Sequence, residues 1–193
     1  MIEQRLLLLG DLLFQKYKDG QIKIKDHFKL VRGKTPPTKN PQYYENGISP
    51  WLNGGALTNL YFLTDYTEPS KLINLQVQEN CKLLKAKPRS IIFSNVNTDK
   101  KRLVWVNSSL TQFYLGEHIW QIDNSNELTT ATLFFALRQL NFDFCSNGSI
   151  FKEVKALLFM NMKINWVSDP TKQRIFLALL NNGVSHNKLT NYE

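Results

Sequence analysis

The chain has 193 residues with 42% hydrophobic and 12% aromatic content, which excludes global disorder and is enough to bury a core without metal or disulfide staples. Lys and Arg number 24 against 16 Asp and Glu, a net charge of +8 that favours a polyanionic partner. Two cysteines, Cys81 and Cys145, exclude a disulfide framework and a cysteine metal cage and lead us to expect a cytoplasmic protein.

Ile2, Leu6, Leu9, Leu13 and Tyr17 recur at three- and four-residue spacing, so residues 2–18 read as one amphipathic helix. Gly10 and Asp11 interrupt its apolar run, which is far short of the ~20 apolar residues of a membrane span. A signal-peptide cleavage site is also missing, so no membrane association is expected. Ile22, Ile24 and Phe28, with lysines between, predict a short strand. Residues 32–50 hold Pro36, Pro37 and Pro41 and predict an irregular loop, because proline removes backbone donors.

Trp51–Leu57 and Leu60–Leu63 read as an apolar strand pair with a glycine break at Gly54-Gly55. Trp51 is assigned to the core, and the two glycines to close backbone approach or positive φ. Leu72, Leu75, Val77 and Leu83 predict a helix within 69–85. Residues 90–94, 103–106 and 113–122 predict three strands. Thr132, Leu133, Ala136, Leu137 and Leu140 carry a helical period, with Ser125 or Asn126 as cap. Residues 157–164 read as a last strand. Asp169-Pro170 opens a final helix lined by Ile175, Phe176, Leu179 and Leu180, which Asn181-Asn182-Gly183 stops; residues 184–193 are expected to fray. The fold class is therefore α+β, one mixed globular domain between two short terminal helices.

Charge is unevenly placed. Residues 1–39 carry nine Lys/Arg against four acids, and residues 82–102 carry seven against Asp99 alone. Such clusters release counterions from nucleic acid and bind it in a salt-dependent way. A solubilising surface is the competing reading. Asn53, Asn95 and Asn97 lie beside these segments, and amide side chains pair with adenine edges, although asparagine is also an ordinary turn residue. Catalytic chemistry is not legible. His27, His118 and His186 are scattered, and neither a phosphate-binding glycine loop nor a serine elbow is present. Asn40-Pro41-Gln42-Tyr43 resembles an amino-methyltransferase signature, but its second proline is glutamine and no methyl-donor loop precedes it. No cofactor, metal or catalytic residue is assigned.

The motifs converge on one family. Phe28-Lys29-Leu30-Val31-Arg32-Gly33-Lys34-Thr35-Pro36-Pro37-Thr38 is followed by Tyr43-Tyr44-Glu45-Asn46-Gly47 and by Pro50-Trp51-Leu52-Asn53-Gly54-Gly55-Ala56-Leu57. Later come Ser90–Asn95, Asn147-Gly148-Ser149-Ile150 and Gln173-Arg174-Ile175. Over about residues 22–180 this layout resembles a target recognition domain of the specificity subunits of type I restriction–modification systems. The resemblance implies a helix over 1–20, a recognition domain over 21–168 and a second, shortened helix with its tail over 169–193, as in half a subunit.

It further implies a non-enzymatic reader of double-stranded DNA that directs a partner adenine methyltransferase and endonuclease. Lys34, Lys39, Lys100, Lys101 and Arg102 are the expected backbone contacts, and Thr35, Thr38, Asn53, Asn95 and Asn97 the expected base readers. Leu6, Leu9, Leu13, Ile175 and Leu179 would form the helical surface for a methyltransferase subunit or a second copy of the chain. Two copies would read a two-fold related bipartite site. The competing function is a degenerate relative that binds DNA without sequence preference or serves only as a protein-interaction module.

Overall fold

The computed structural model describes residues 2–37, 39–58, 60–96, 103–140, 146–147 and 153–187. Helix α1 (Ile2–Tyr17) leads into β1 (Gly20–Lys23), a single helical turn α2 (Ile24–His27) and β2 (Lys29–Arg32). The expected strand through Ile22, Ile24 and Phe28 is thus two strands separated by a turn that buries Ile24. Among its described residues the proline loop holds one regular element, a 3₁₀ turn at Pro41–Tyr43, before β3 (Ser49–Leu52). A second 3₁₀ turn, Gly54–Leu57, separates β3 from β4 (Phe62–Leu63). The helix expected within 69–85 shrinks to α3 (Leu75–Cys81), between β5 (Lys71–Ile73) and β6 (Leu84–Lys85).

Strands β7 (Ile91–Ser94) and β8 (Leu103–Val106) lie where expected. The single strand expected over 113–122 breaks at Gly116 into β9 (Tyr114–Leu115) and β10 (Ile119–Asp123). Helix α4 (Glu127–Arg138) and the short pair β11 (Ser146–Asn147) and β12 (Glu153–Val154) follow. The last expected strand is instead a five-residue helix, α5 (Ala156–Met160), then β13 (Lys163–Trp166). Helix α6 (Pro170–Asn187) runs through Gly183 rather than stopping there. That glycine is a contact residue: a Cβ on it would stand 2.5 Å from Phe62 Cζ.

Two sheets lie face to face. A five-stranded sheet runs β2-β10-β7-β8-β4, antiparallel except for the parallel β8–β4 edge. A four-stranded sheet runs β5-β3-β9-β6. So β3 and β4, expected to pair, belong to different sheets. The two-residue alternation of strands explains why β7 and β8 are apolar on both faces. Ile92, Val104 and Val106 point into the layer between the sheets, against Leu52, Leu57, Phe113 and Leu115. Ile91, Phe93, Leu103 and Trp105 point the other way, onto the helices.

The helical layer is built around α4, whose residues 130–137 are all buried. A helix that is apolar on every side is a core helix, and α1, α6 and β13 surround this one. The buried stripe of α1 is Leu7, Gly10 and Phe14, one position round from the stripe the spacing suggested. Gly10 sets this docking: a Cβ there would meet the Phe135 ring at 2.1 Å. The Arg138 guanidinium holds Asp11 through Nε at 2.9 Å and Nη2 at 2.7 Å, tying α4 to α1 across a half-buried seam. Asn126 caps α4 as expected, its side-chain oxygen accepting from the Leu128 and Thr129 amides at 2.9 and 3.3 Å. Asn126→Ala is expected to cost about 1 kcal/mol in denaturant melts, and Asn126→Asp much less.

Candidate nucleic-acid interface

The β9–β10 break organises the site. Gly116 donates to Leu52 O at 2.8 Å, and Asn95 donates to His118 O at 3.0 Å. Gly33 donates to Ile119 O at 2.8 Å, and Lys34 to Leu115 O at 2.9 Å. The loops after β2, β3 and β7 therefore meet on the single turn Gly116-Glu117-His118. Glu117 and His118 project outward from it, both about half exposed, with His118 Nε2 3.5 Å from Glu117 Oε1.

Lys34 and Thr35 stand on one side of this turn. Lys34 is exposed, and its carbonyl accepts from the Trp51 indole at 3.3 Å. Trp51 is 5% exposed, so its core assignment and its role in pinning the Lys34 backbone coincide. Thr35 Oγ1 accepts from the Glu117 amide at 3.2 Å. Tyr44 donates its phenol proton to Pro36 O at 3.1 Å, and the Lys71 ammonium sits 4.7 Å from the centre of its ring. Burial raises the Tyr44 phenol above its ordinary value, and the nearby Cys81 thiol adds to the effect, so this donor keeps its proton.

The Tyr-Tyr-x-x-Gly turn has a physical basis. Asn46 adopts φ 50°, a left-handed conformation asparagine tolerates. Gly47 follows it because a Cβ there would stand 2.6 Å from the Leu72 carbonyl group.

On the other side, Asn53 is exposed, but its side-chain oxygen accepts from the Ala56 amide at 3.0 Å and caps the 3₁₀ turn. That cap uses one of the two lone pairs of Oδ1, so the other lone pair and Nδ2 remain to pair with an adenine edge. Gly54 fits against Ser94 and His118; a Cβ would lie 3.1 Å from Ser94 Oγ. No left-handed φ accompanies it, so close approach is its function. Asn95 departs most from expectation. It is 0% exposed, its Nδ2 donates to Glu153 Oε1 at 3.1 Å, and its carbonyl accepts from Val154 at 2.8 Å. It clamps β7 to β12 and offers no edge to a ligand. Its Oδ1 is buried with no hydrogen-bond partner among the described residues.

Lys39 is exposed on the proline loop. Thr38, Asn97, Lys100, Lys101 and Arg102 lie outside the described residues.

Arg32 was not among the expected site residues. It donates from Nε to Glu117 O at 2.8 Å and is exposed beside Lys34. Its signal was strand alternation: Leu30 and Arg32 share a face of β2, opposite Ile122 and Trp120. Arg32, Gly33, Lys34, Thr35, Glu117 and the half-buried Cys81 line one cleft of about 400 Å³.

The second basic segment divides. Lys87 pairs with Asp123, and Arg89 with Glu127 at 2.7 Å, at the opposite end of the five-stranded sheet. A wider cleft of about 870 Å³ lies there, lined in part by Lys87, Arg89, Asn124 and Asn126. These two bases are already partnered by carboxylates, whereas Lys34 and Lys39 have no ion pair among the described residues.

The helix residues expected to meet partners are placed as follows. Leu6, Leu13, Ile175 and Leu179 are half-buried, with Leu13 and Leu179 packed against the core. Leu9 is exposed, together with Ile2, Leu8 and Leu12. Among the described residues no group of three His, Cys, Asp or Glu is placed to hold a metal. No described helix is long and apolar enough to cross a membrane.

Comparison with known proteins gives a consistent result. A family described as the type I restriction modification DNA specificity domain matches residues 19–190. A structure from work on complex assembly and conformational transition of a type I R-M system matches with TM-score 0.62 at 14% identity. The match covers 98% of this chain and 47% of that one. The type I restriction-modification S subunit of M. genitalium matches with TM-score 0.57 at 13% identity, over 89% of this chain and 40% of that one. The HsdS subunit of Thermoanaerobacter tengcongensis matches with TM-score 0.58 at 15% identity, over 95% and 44%. The fold is therefore that of these subunits, and the chain spans about half the length of each.

Proposed function

Because the chain belongs to the type I restriction modification DNA specificity domain family, we propose that it reads a short sequence in double-stranded DNA. One observation carries this assignment to a particular surface: Arg32, Lys34, Thr35 and Asn53, up to 21 positions apart in sequence, gather at the Gly116–His118 turn.

Arg32, Lys34 and Lys39 hold phosphates and set register, with Lys100, Lys101 and Arg102 as further backbone contacts. Thr35 and His118 face base edges, with Thr38 and Asn97 as additional readers. The chain acts without chemistry of its own. It functions in the cytoplasm, uses no cofactor, and supplies specificity to a methyltransferase subunit. Residues 21–168 are the recognition domain, and the segments on either side are helical connectors. The exposed Leu8, Leu9 and Leu12 of α1, with Ile2, are the surface for that subunit or for a second copy of the chain.

Cys81 provides a direct test, because it shares the cleft with Arg32, Lys34 and Thr35. In a Cys145→Ser background, duplex DNA is expected to slow maleimide labelling of Cys81 in proportion to occupancy. An unchanged rate at saturating DNA contradicts the assignment of this face.

A further inference from the structure

Helix α5 carries two leucines that the fold leaves uncovered: Leu157 is 75% exposed and Leu158 47%. The reason lies in its anchor. Phe159 is fully buried against the Phe93 ring at 5.2 Å and the Trp120 ring at 6.5 Å. Each helical residue advances about 100°, so Leu157 points about 200° away from Phe159, directly outward.

The position of the pair connects it to the DNA face. Phe93, Trp120 and Arg32 lie side by side across β7, β10 and β2, so Phe159 seats α5 over the end of the sheet that bears Arg32. The chain enters α5 through Val154, which is hydrogen-bonded to Asn95, itself bonded to His118. Around it Lys25 on the adjoining α2 and Lys163 on β13 are exposed, with Asp26 among them. Lys155 precedes the helix and pairs with Glu153 at 3.3 Å.

We propose that Leu157 and Leu158 form an apolar wedge that presses between base pairs of the duplex held on this basic face. The inference rests on the DNA reading above and adds a deformation step to it. Two neighbouring leucines are too small a patch for a protein partner, which buries roughly 800 Å² per side. They suffice for a wedge, since one or two apolar side chains unstack a base step and bend the duplex. Lys25 and Lys163 against Asp26, with Lys155 and Glu153 cancelling, leave one net positive charge beside the pair, which suits a polyanion better than an apolar protein surface. A wedge of this kind makes the ease of unstacking part of specificity, so that flexible pyrimidine–purine steps are preferred at a position no polar side chain touches.

The test uses the full chain and the duplexes it retains best, with 2-aminopurine placed at successive steps. Wild type is expected to raise 2-aminopurine fluorescence at one step. The Leu157→Ala/Leu158→Ala variant is expected to lose that rise and bind roughly tenfold more weakly. Its salt slope stays unchanged, because no charge is removed. Leu157→Met retains the rise. Both leucines are exposed, so the melting temperature stays near wild type.

Tight binding by wild type with no fluorescence rise, and equal binding by the alanine variant, overturns the wedge and leaves the DNA reading intact. Failure of wild type to bind any duplex overturns both. An alanine variant that binds DNA normally but halves in solution mass shows that the leucines cover a second copy, which also overturns the wedge.

Discussion

Gly33→Ala is expected to destabilise the protein by about 3 kcal/mol, the upper end of what an overpacked methyl group costs. A Cβ at this position would stand 2.2 Å from Gly116 O and 2.5 Å from Leu115 O. Both are backbone atoms, so no rotamer change relieves the clash. Relief requires moving the Gly33–Ile119 and Lys34–Leu115 hydrogen bonds that hold the loop to the turn. For a chain of this size the melting temperature should fall by roughly 6–12 °C. DNA affinity should also fall at temperatures where the variant is still folded, because Arg32, Lys34 and Thr35 move with the loop. Gly20→Ala is the control: nothing lies within 4 Å of its Cβ, and its effect should stay within about 0.5 kcal/mol. A Gly33→Ala melt within 2 °C of wild type, a margin of roughly one-half to one kcal/mol, contradicts this account of the Gly-Lys-Thr-Pro motif.

The strands and helix with unambiguous periods were legible in the sequence. Ile91–Ser94, Leu103–Val106 and the Asn126-capped helix fall where expected, because short apolar runs rich in β-branched and aromatic residues, and side-chain caps, are local signals. Residues 157–164 were not. A short apolar run such as Leu157-Leu158-Phe159-Met160 fits a buried strand or a helical turn equally well, and only packing on Phe93 and Trp120 selects the helix. Gly183 read as a stop because glycine usually ends helices, but here it admits the Phe62 ring.

The site was half legible. The Gly33–Thr35 motif marked one loop, but its convergence with Gly116–His118 depends on pairings between residues more than 80 positions apart. Asn95 shows the limit most plainly. Its neighbours suggested a polar turn, and its burial follows from β12, which sequence reading could not place beside it.

Replacing Arg32 and Lys34 together with alanine is expected to make the plot of log binding constant against log salt shallower by about 2, since each neutralised phosphate contributes close to one. Affinity should drop about equally for all sequences, the mark of a backbone contact. The sharper comparison is with Lys87→Ala/Arg89→Ala, which removes the same formal charge. Those side chains pair with Asp123 and Glu127 at the far end of the sheet. Their loss should leave the salt slope within error of wild type. If the two double variants shift the slope equally, binding follows net charge alone and the assigned face is wrong. A thermal melt separates lost contacts from lost folding, because Arg32 also holds the Glu117 carbonyl.

Whether the chain distinguishes DNA sequences is decided by selecting randomised duplex DNA on the purified protein at about 0.15 M salt, where screening is physiological. One short motif should be enriched, or a mirrored pair if two copies act together. Retention without enrichment, lost at modestly higher salt, would contradict sequence recognition and leave only a basic surface.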